Sequence, residues 1–243
     1  MSTKVKSYFE THAHNYPKSQ AFYLSIVEEI KKAIPTKSRI KLLDVGCGDG
    51  AFIRSLSSAG VNFEYFATDI SYKMISIAKN KLNGRGIRFF VCDAFNIPIK
   101  QDFKFEIIHL DSVLHHLIAK TKRSSTLLVR NVIDQLAQRL SEDGIMIIQE
   151  VNFSSFLIPQ LTSNIVFYGL RINNNFFKID LSRIIPDLKP GLEVNFLDED
   201  QIIRILSDHG SVDKIHQDTY EIPRSYRLFL LKHYGHSTYL MKK

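Results

Sequence analysis

Residues 42–52 read LLDVGCGDGAF, an apolar run that closes on Asp44 and opens into glycines at alternate positions, Gly46, Gly48 and Gly50. Ile40, Leu42, Leu43 and Val45 have the pattern of a buried parallel strand, while Ala51, Phe52, Leu56 and Ala59 recur at helical spacing up to Gly60. A glycine-rich turn between strand and helix lets the backbone approach a ligand closely, and its amides and the helix N-terminus face polar or anionic groups. One glycine would mean only a tight turn. Three in alternation, behind a strand and a carboxylate, favour a ligand site.

Working outward, strand-like and helix-like segments alternate through the first 150 residues. Residues 19–34 carry Phe22, Ile26 and Ile30 on one stripe and end at Pro35. FEYFAT (63–68), IRFFVC (87–92) and FEIIHL (105–110) read as strands, and residues 72–82 and 122–140 as helices. The Glu142-Asp143-Gly144 turn then leads into a fifth strand, 145–151. Such alternation implies right-handed crossovers and an α/β, three-layer sandwich with a mainly parallel sheet. Residues 152–197 are aromatic, Asn-rich and interrupted by Pro159, Pro186 and Pro190, and read as a lid-like insertion after strand five. A helix resumes after Asp198, a predicted N-cap, and strands near 211–219 and 226–234 turn around Pro223 to close the sheet.

A chain of 243 residues, 44% hydrophobic and 23% charged, suits one globular domain with a sizeable core. We take 1–243 as that domain, with 1–37 as an N-terminal lid and helix and 152–197 shaping the acceptor site. The two cysteines, Cys47 and Cys92, fall in predicted core-strand contexts and have no metal-ligand spacing, which points to a reducing, cytoplasmic compartment. The N-terminus has no apolar leader, and no stretch has the roughly 18 apolar residues of a spanning helix. The net charge is +7, with eight Lys/Arg against three acids in residues 1–41. These basic residues are scattered and fit a solvated surface better than a nucleic-acid site.

In an open α/β sheet, ligands bind beyond the carboxyl ends of the strands. Asp69 follows the second strand, placed to accept from a ribose diol, and Asp93-Ala94 follows the third, where a carboxylate and an amide can read an adenine edge. With these, the chain resembles the class I, Rossmann-like S-adenosylmethionine-dependent methyltransferases of small-molecule type. The resemblance rests on LLDVGCGDG (42–50), ATDIS (67–71), VCDAFNIPI (91–99), FEIIHLDSVLHHL (105–117) and LSEDGIMIIQEV (140–151). It implies a seven-stranded sheet with an antiparallel last strand, and S-adenosyl-L-methionine as cofactor. It also implies that Gly46–Gly50 passes beneath the methionine, Asp44 faces its amino end, Asp69 holds the ribose, Ile70 packs on adenine, Asp93 and Ala94 read its edge, and Leu110 closes the methionine side. A nicotinamide dinucleotide loop stays open on spacing alone, because Ala51 stands where that fingerprint accepts glycine or alanine.

A base is needed only where the acceptor must lose a proton. LDSVLHHL (110–117) supplies candidates at a predicted helix start: His115 as a pocket-facing group, and His116, which the resemblance places at a commoner structural histidine. Asp111 is an alternative helix-start carboxylate, Glu150 borders the substrate, and Tyr16 is the lid aromatic. No metal is expected, since no His/Cys cluster has ligand spacing. The expected function is methyl transfer to a small, hydrophobic organic acceptor at oxygen, nitrogen or carbon. The alternatives are an RNA or protein methyltransferase, or a non-catalytic cofactor-binding protein of the same fold.

Overall fold

The apolar run before the glycines forms strand β1 (Lys41–Val45), whose side chains are buried on both faces of a sheet. Leu43 and Val45 join one hydrophobic cluster and Leu42 the opposite one, as the two-residue period of a strand requires. The protein is described by a computed structural model covering residues 3–13, 23–33, 40–60, 63–83, 85–158, 160–182, 188–219 and 231–243.

Six further strands complete the sheet: β2 (Glu64–Asp69), β3 (Arg88–Val91), β4 (Phe105–Asp111), β5 (Leu140–Ser155), β6 (Ser211–Thr219) and β7 (Leu231–Lys242). Their order is β3-β2-β1-β4-β5-β7-β6. The pairs β1–β2, β2–β3, β1–β4 and β4–β5 are parallel, and β7 runs antiparallel between β5 and β6. The chain moves outward from β1 in one direction and then returns to build from β4 in the other. Strand order therefore reverses between β1 and β4, where a doubly wound sheet opens a crevice at its carboxyl edge.

Helices α1 (Thr3–His12), α2 (Leu24–Ala33), α3 (Ala51–Ser58), α4 (Tyr72–Lys81), α5 (Lys122–Ala137), α6 (Leu161–Ile172) and α7 (Glu199–Ser207) accompany the sheet. Val129, Val132 and Leu136 of α5 and Ile202 and Leu206 of α7 pack on one face, and Ile26 and Ile30 of α2 with Phe52 and Leu56 of α3 on the other. Asp198 caps α7 in a reciprocal capping box with Gln201, confirming the N-cap read from the sequence.

Several boundaries differ from the sequence reading. The described part of the first predicted helix is Leu24–Ala33, and Pro35 and Pro223 lie outside the described residues. β5 starts at Leu140 and continues to Ser155, because its far end pairs with β7 rather than leaving the sheet at residue 151. The last strand is Leu231–Lys242, later than the 226–234 expected after a turn at Pro223. Helix α1 was not foreseen. It joins the segment after α6 in a third cluster, where Val5 meets Val151, Leu170, Leu192, Val194 and Phe196. Lys4 and Arg171 both ion-pair with Glu193, tying the same pieces together. No helix among the described residues is long and apolar enough to cross a membrane.

Gly210 marks the tightest approach of backbone to backbone. A Cβ there would lie 2.0 Å from the carbonyl oxygen of Lys242. Gly210→Ala should therefore cost roughly 2–3 kcal/mol of stability through overpacking against main chain. An unchanged urea midpoint would contradict this.

Candidate active site

At the switch between β1 and β4 lies a cavity of about 350 Å³, walled by the glycine loop, the ends of β2 and β4, and α1. The loop is left-handed at each glycine, with φ of +73° at Gly46, +54° at Gly48 and +80° at Gly50. A Cβ on Gly46 would sit 2.4 Å from the Val113 side chain, so only glycine fits beneath the turn after β4. The Gly46 and Cys47 amides donate to the Thr68 carbonyl at 2.8 and 2.9 Å, which fastens the loop to β2.

Asp69 organises the next stretch. Its carboxylate accepts from the Gly48 amide at 3.0 Å and the Ser71 amide at 2.8 Å, joining the loop to the start of α4. Burial lifts its pKa to about 6, because loss of solvent outweighs the two amide bonds. Ile70 and Ala94 share this wall.

Asp44 anchors the opposite end. One carboxylate oxygen accepts from His109 Nδ1 at 2.7 Å, and His109 Nε2 faces Gln149 Oε1 at 3.0 Å. Phe52 stacks on the imidazole with ring centroids 3.5 Å apart. The other carboxylate oxygen is buried and has no hydrogen-bond partner among the described residues. Beside it, Tyr23 donates its hydroxyl to Asp111 at 2.7 Å.

After β4 the chain makes a single 3₁₀ turn, Leu114–His116, rather than the helix expected from LDSVLHHL. Glu150 dictates that turn. One of its oxygens accepts from the Leu114 and His115 amides, and the other pairs with His115 Nδ1. Both histidines line the cavity, with ring centroids 4.0 Å apart, and Phe9 of α1 meets His116 edge-on at 5.2 Å. The Asn195 amide donates to the His115 carbonyl at 2.7 Å, fixing the turn from the other side.

Of the residues singled out in the sequence, the cavity gathers Asp44, Gly46, Gly48, Asp69, Ile70, Ala94, His115 and His116. Others are displaced from the places expected. Gly50 packs against Leu82 at the start of α3, because its missing side chain serves helix packing. Leu110 points into the core, and the cavity is instead met by Asp111 and Ser112, one step further along the strand. Asp93 closes a turn by accepting from the Phe95 amide at 3.1 Å, and it is Ala94 that lines the cavity. Glu150 is fully buried behind His115 and does not border the cavity. Cys47 and Cys92 lie in loops after their strands, both at the cavity wall. Tyr16 lies outside the described residues. His109, Tyr23 and Phe9 were missed, as were Lys189, Leu192 and His236.

Residues 42–144 match the family described as Methyltransferase domain. The sheet that they begin has the α/β methyltransferase fold. Among curated relatives, the domain is 24% identical over 132 residues to a malonyl-[acyl-carrier protein] O-methyltransferase of Bacillus anthracis, an alignment spanning 54% of this chain and 43% of the relative. It is 26% identical over 147 residues to the non-reducing polyketide synthase nvfA of Aspergillus novofumigatus, covering 57% of this chain and 6% of that protein. The chain thus spans well under two thirds of these relatives. Among solved structures, magnesium protoporphyrin IX methyltransferase from Synechocystis, with S-adenosylhomocysteine bound, superposes with a TM-score of 0.57 at 19% identity, over 98% of this chain and 99% of its own. YcgJ from Bacillus subtilis gives 0.61 at 16% identity, over 90% and 97%.

The matching family uses S-adenosylmethionine, and the cavity has features that suit it. A buried carboxylate oxygen without a partner is costly unless a donor or cation meets it, and Asp44 presents one to the cavity. The left-handed loop leaves room for a backbone-hugging ligand, and Asp69 stands at the far end with acceptor oxygens.

Proposed function

We infer that this domain transfers a methyl group from S-adenosylmethionine to a small organic acceptor with an apolar body. When bound, S-adenosylmethionine supplies an activated methyl on a sulfonium. The carrying observation is that one cavity joins the glycine loop, Asp44 and Asp69 to a histidine backed by a buried glutamate. In this reading Asp44 receives the amino end of the donor and Asp69 the ribose hydroxyls. Gly46 and Gly48 line the methionine portion, and Ile70 and Ala94 flank the adenine.

His115 is the candidate base. In the tautomer whose Nδ1–H donates to Glu150, Nε2 is the accepting nitrogen, and an acceptor O–H or N–H that reaches it can pass its proton there as it attacks. Glu150 is a positioning residue, since it fixes the ring and the turn without reaching the cavity. His116 is assigned to the acceptor wall, packed against Phe9. Relatives whose names give malonyl-carrier and magnesium protoporphyrin acceptors support an organic acceptor. So does the apolar cluster that α1 and the segment after α6 build beside the site.

Isothermal titration calorimetry with S-adenosylmethionine and S-adenosylhomocysteine tests the first step, and a methyl-transfer screen over organic acceptors the second. Both nucleosides should bind, whereas failure of both to bind removes the reading. Binding of NAD in their place would identify a dehydrogenase.

A further inference from the structure

The cavity is also lined by a lysine and two histidines outside the groups assigned to the donor. Lys189 comes from the segment after α6, His236 from β7 opposite Val151, and His116 from the turn after β4. Phe9, Val113 and Leu192 add apolar surface to the same lining. No described carboxylate of the cavity ion-pairs with Lys189. Asp69 holds the loop, Asp44 holds His109, Asp49 pairs with Lys81, and Asp111 accepts from Tyr23 and Ser112. Among the described residues Lys189 makes no ion pair.

An ammonium in a partly enclosed cavity with apolar lining attracts an anion more strongly than it would in water. We propose that the acceptor carries a carboxylate beside its nucleophilic group, and that Lys189 binds this carboxylate with His116 and His236 as further donors. This rests on the methyl-transfer reading above, and it narrows the acceptor to an organic acid. One lysine with two imidazoles matches a monoanion. A phosphate dianion is better matched by the paired donors of arginine, and the described lining residues include no arginine. The apolar residues of the same lining suit a hydrocarbon body next to the acid.

The test measures binding by calorimetry to protein saturated with S-adenosylhomocysteine. Straight-chain acids from butanoate to dodecanoate are each compared with their amide and with the alkyl phosphate of equal length. An acid in the series should bind about 10–100-fold more tightly than its amide, the range of a charge-assisted hydrogen bond. Lys189→Met should erase that preference, and Lys189→Arg should keep it. The proposal is overturned if no acid binds, if acid and amide bind alike, if Lys189→Met weakens both equally, or if the phosphate binds best. If S-adenosylhomocysteine itself fails to bind, the donor reading falls. The acid preference is then read on the protein alone, so the two failures stay separate.

Discussion

Asp69→Ala should lower the affinity for S-adenosylhomocysteine by about 100-fold or more, since two hydroxyl donors to a carboxylate contribute about 1.5–3 kcal/mol each. Titration calorimetry reads this directly, and a thermal melt confirms that the variant stays folded despite losing its bonds to the Gly48 and Ser71 amides. An unchanged affinity removes the ribose contact. The pH dependence is a second signature. Burial raises the Asp69 pKa to about 6, where an ordinary aspartate titrates near about 4. The folded protein then holds a proton that the unfolded chain has released, so this group makes stability fall as pH rises from about 4 to about 6. Nucleoside binding has the opposite sign, because hydroxyl donors require the carboxylate. Affinity should drop as pH falls below about 6, by up to about tenfold per pH unit, and Asp69→Asn should flatten the profile.

His115→Gln should reduce kcat by about 10²–10⁴-fold for an acceptor that loses a proton, the span of general-base contributions. Glutamine keeps an amide donor for Glu150, so the buried carboxylate retains a partner and the fold is preserved. The affinity for the methyl donor should not change. Glu150→Gln should also slow the reaction, while changing the pH–rate profile rather than erasing it. The amide can still accept from the backbone of the turn but cannot stabilise a charged imidazole as a carboxylate does. Identical pH–rate profiles for the wild type and His115→Gln would remove the base.

The parts of this site legible in the sequence are those whose signal is local. The glycine loop, Asp44 and Asp69 stand at fixed short offsets from strands, and Asp198 precedes its helix by one residue. What escaped depends on partners far along the chain. His109 looks like an interruption in an apolar strand, and its meaning comes from Asp44, 65 residues earlier. Glu150 sits on a strand whose alternation says nothing of the amides 35 and 36 residues away that it accepts from. Tyr23 reaches Asp111 across 88 residues. Helix α1 escaped for another reason. Its apolar residues, Val5, Tyr8 and Phe9, are too few to show a stripe, and the helix is held by the cluster it joins.

That same helix links the two ends of the cavity. Phe9 lies at the histidine wall, and the next residue, Glu10, accepts from the Tyr72 and Lys73 amides at the first turn of α4. A helix is stiff over one peptide bond, so Phe9 cannot swing away from the acceptor end unless Glu10 strains or releases the turn that follows Asp69. On the methyl-transfer reading, a ligand seated against Phe9 is thus one rigid helical step from the turn that frames the Asp69 end, and occupancy of one compartment is expected to change affinity in the other.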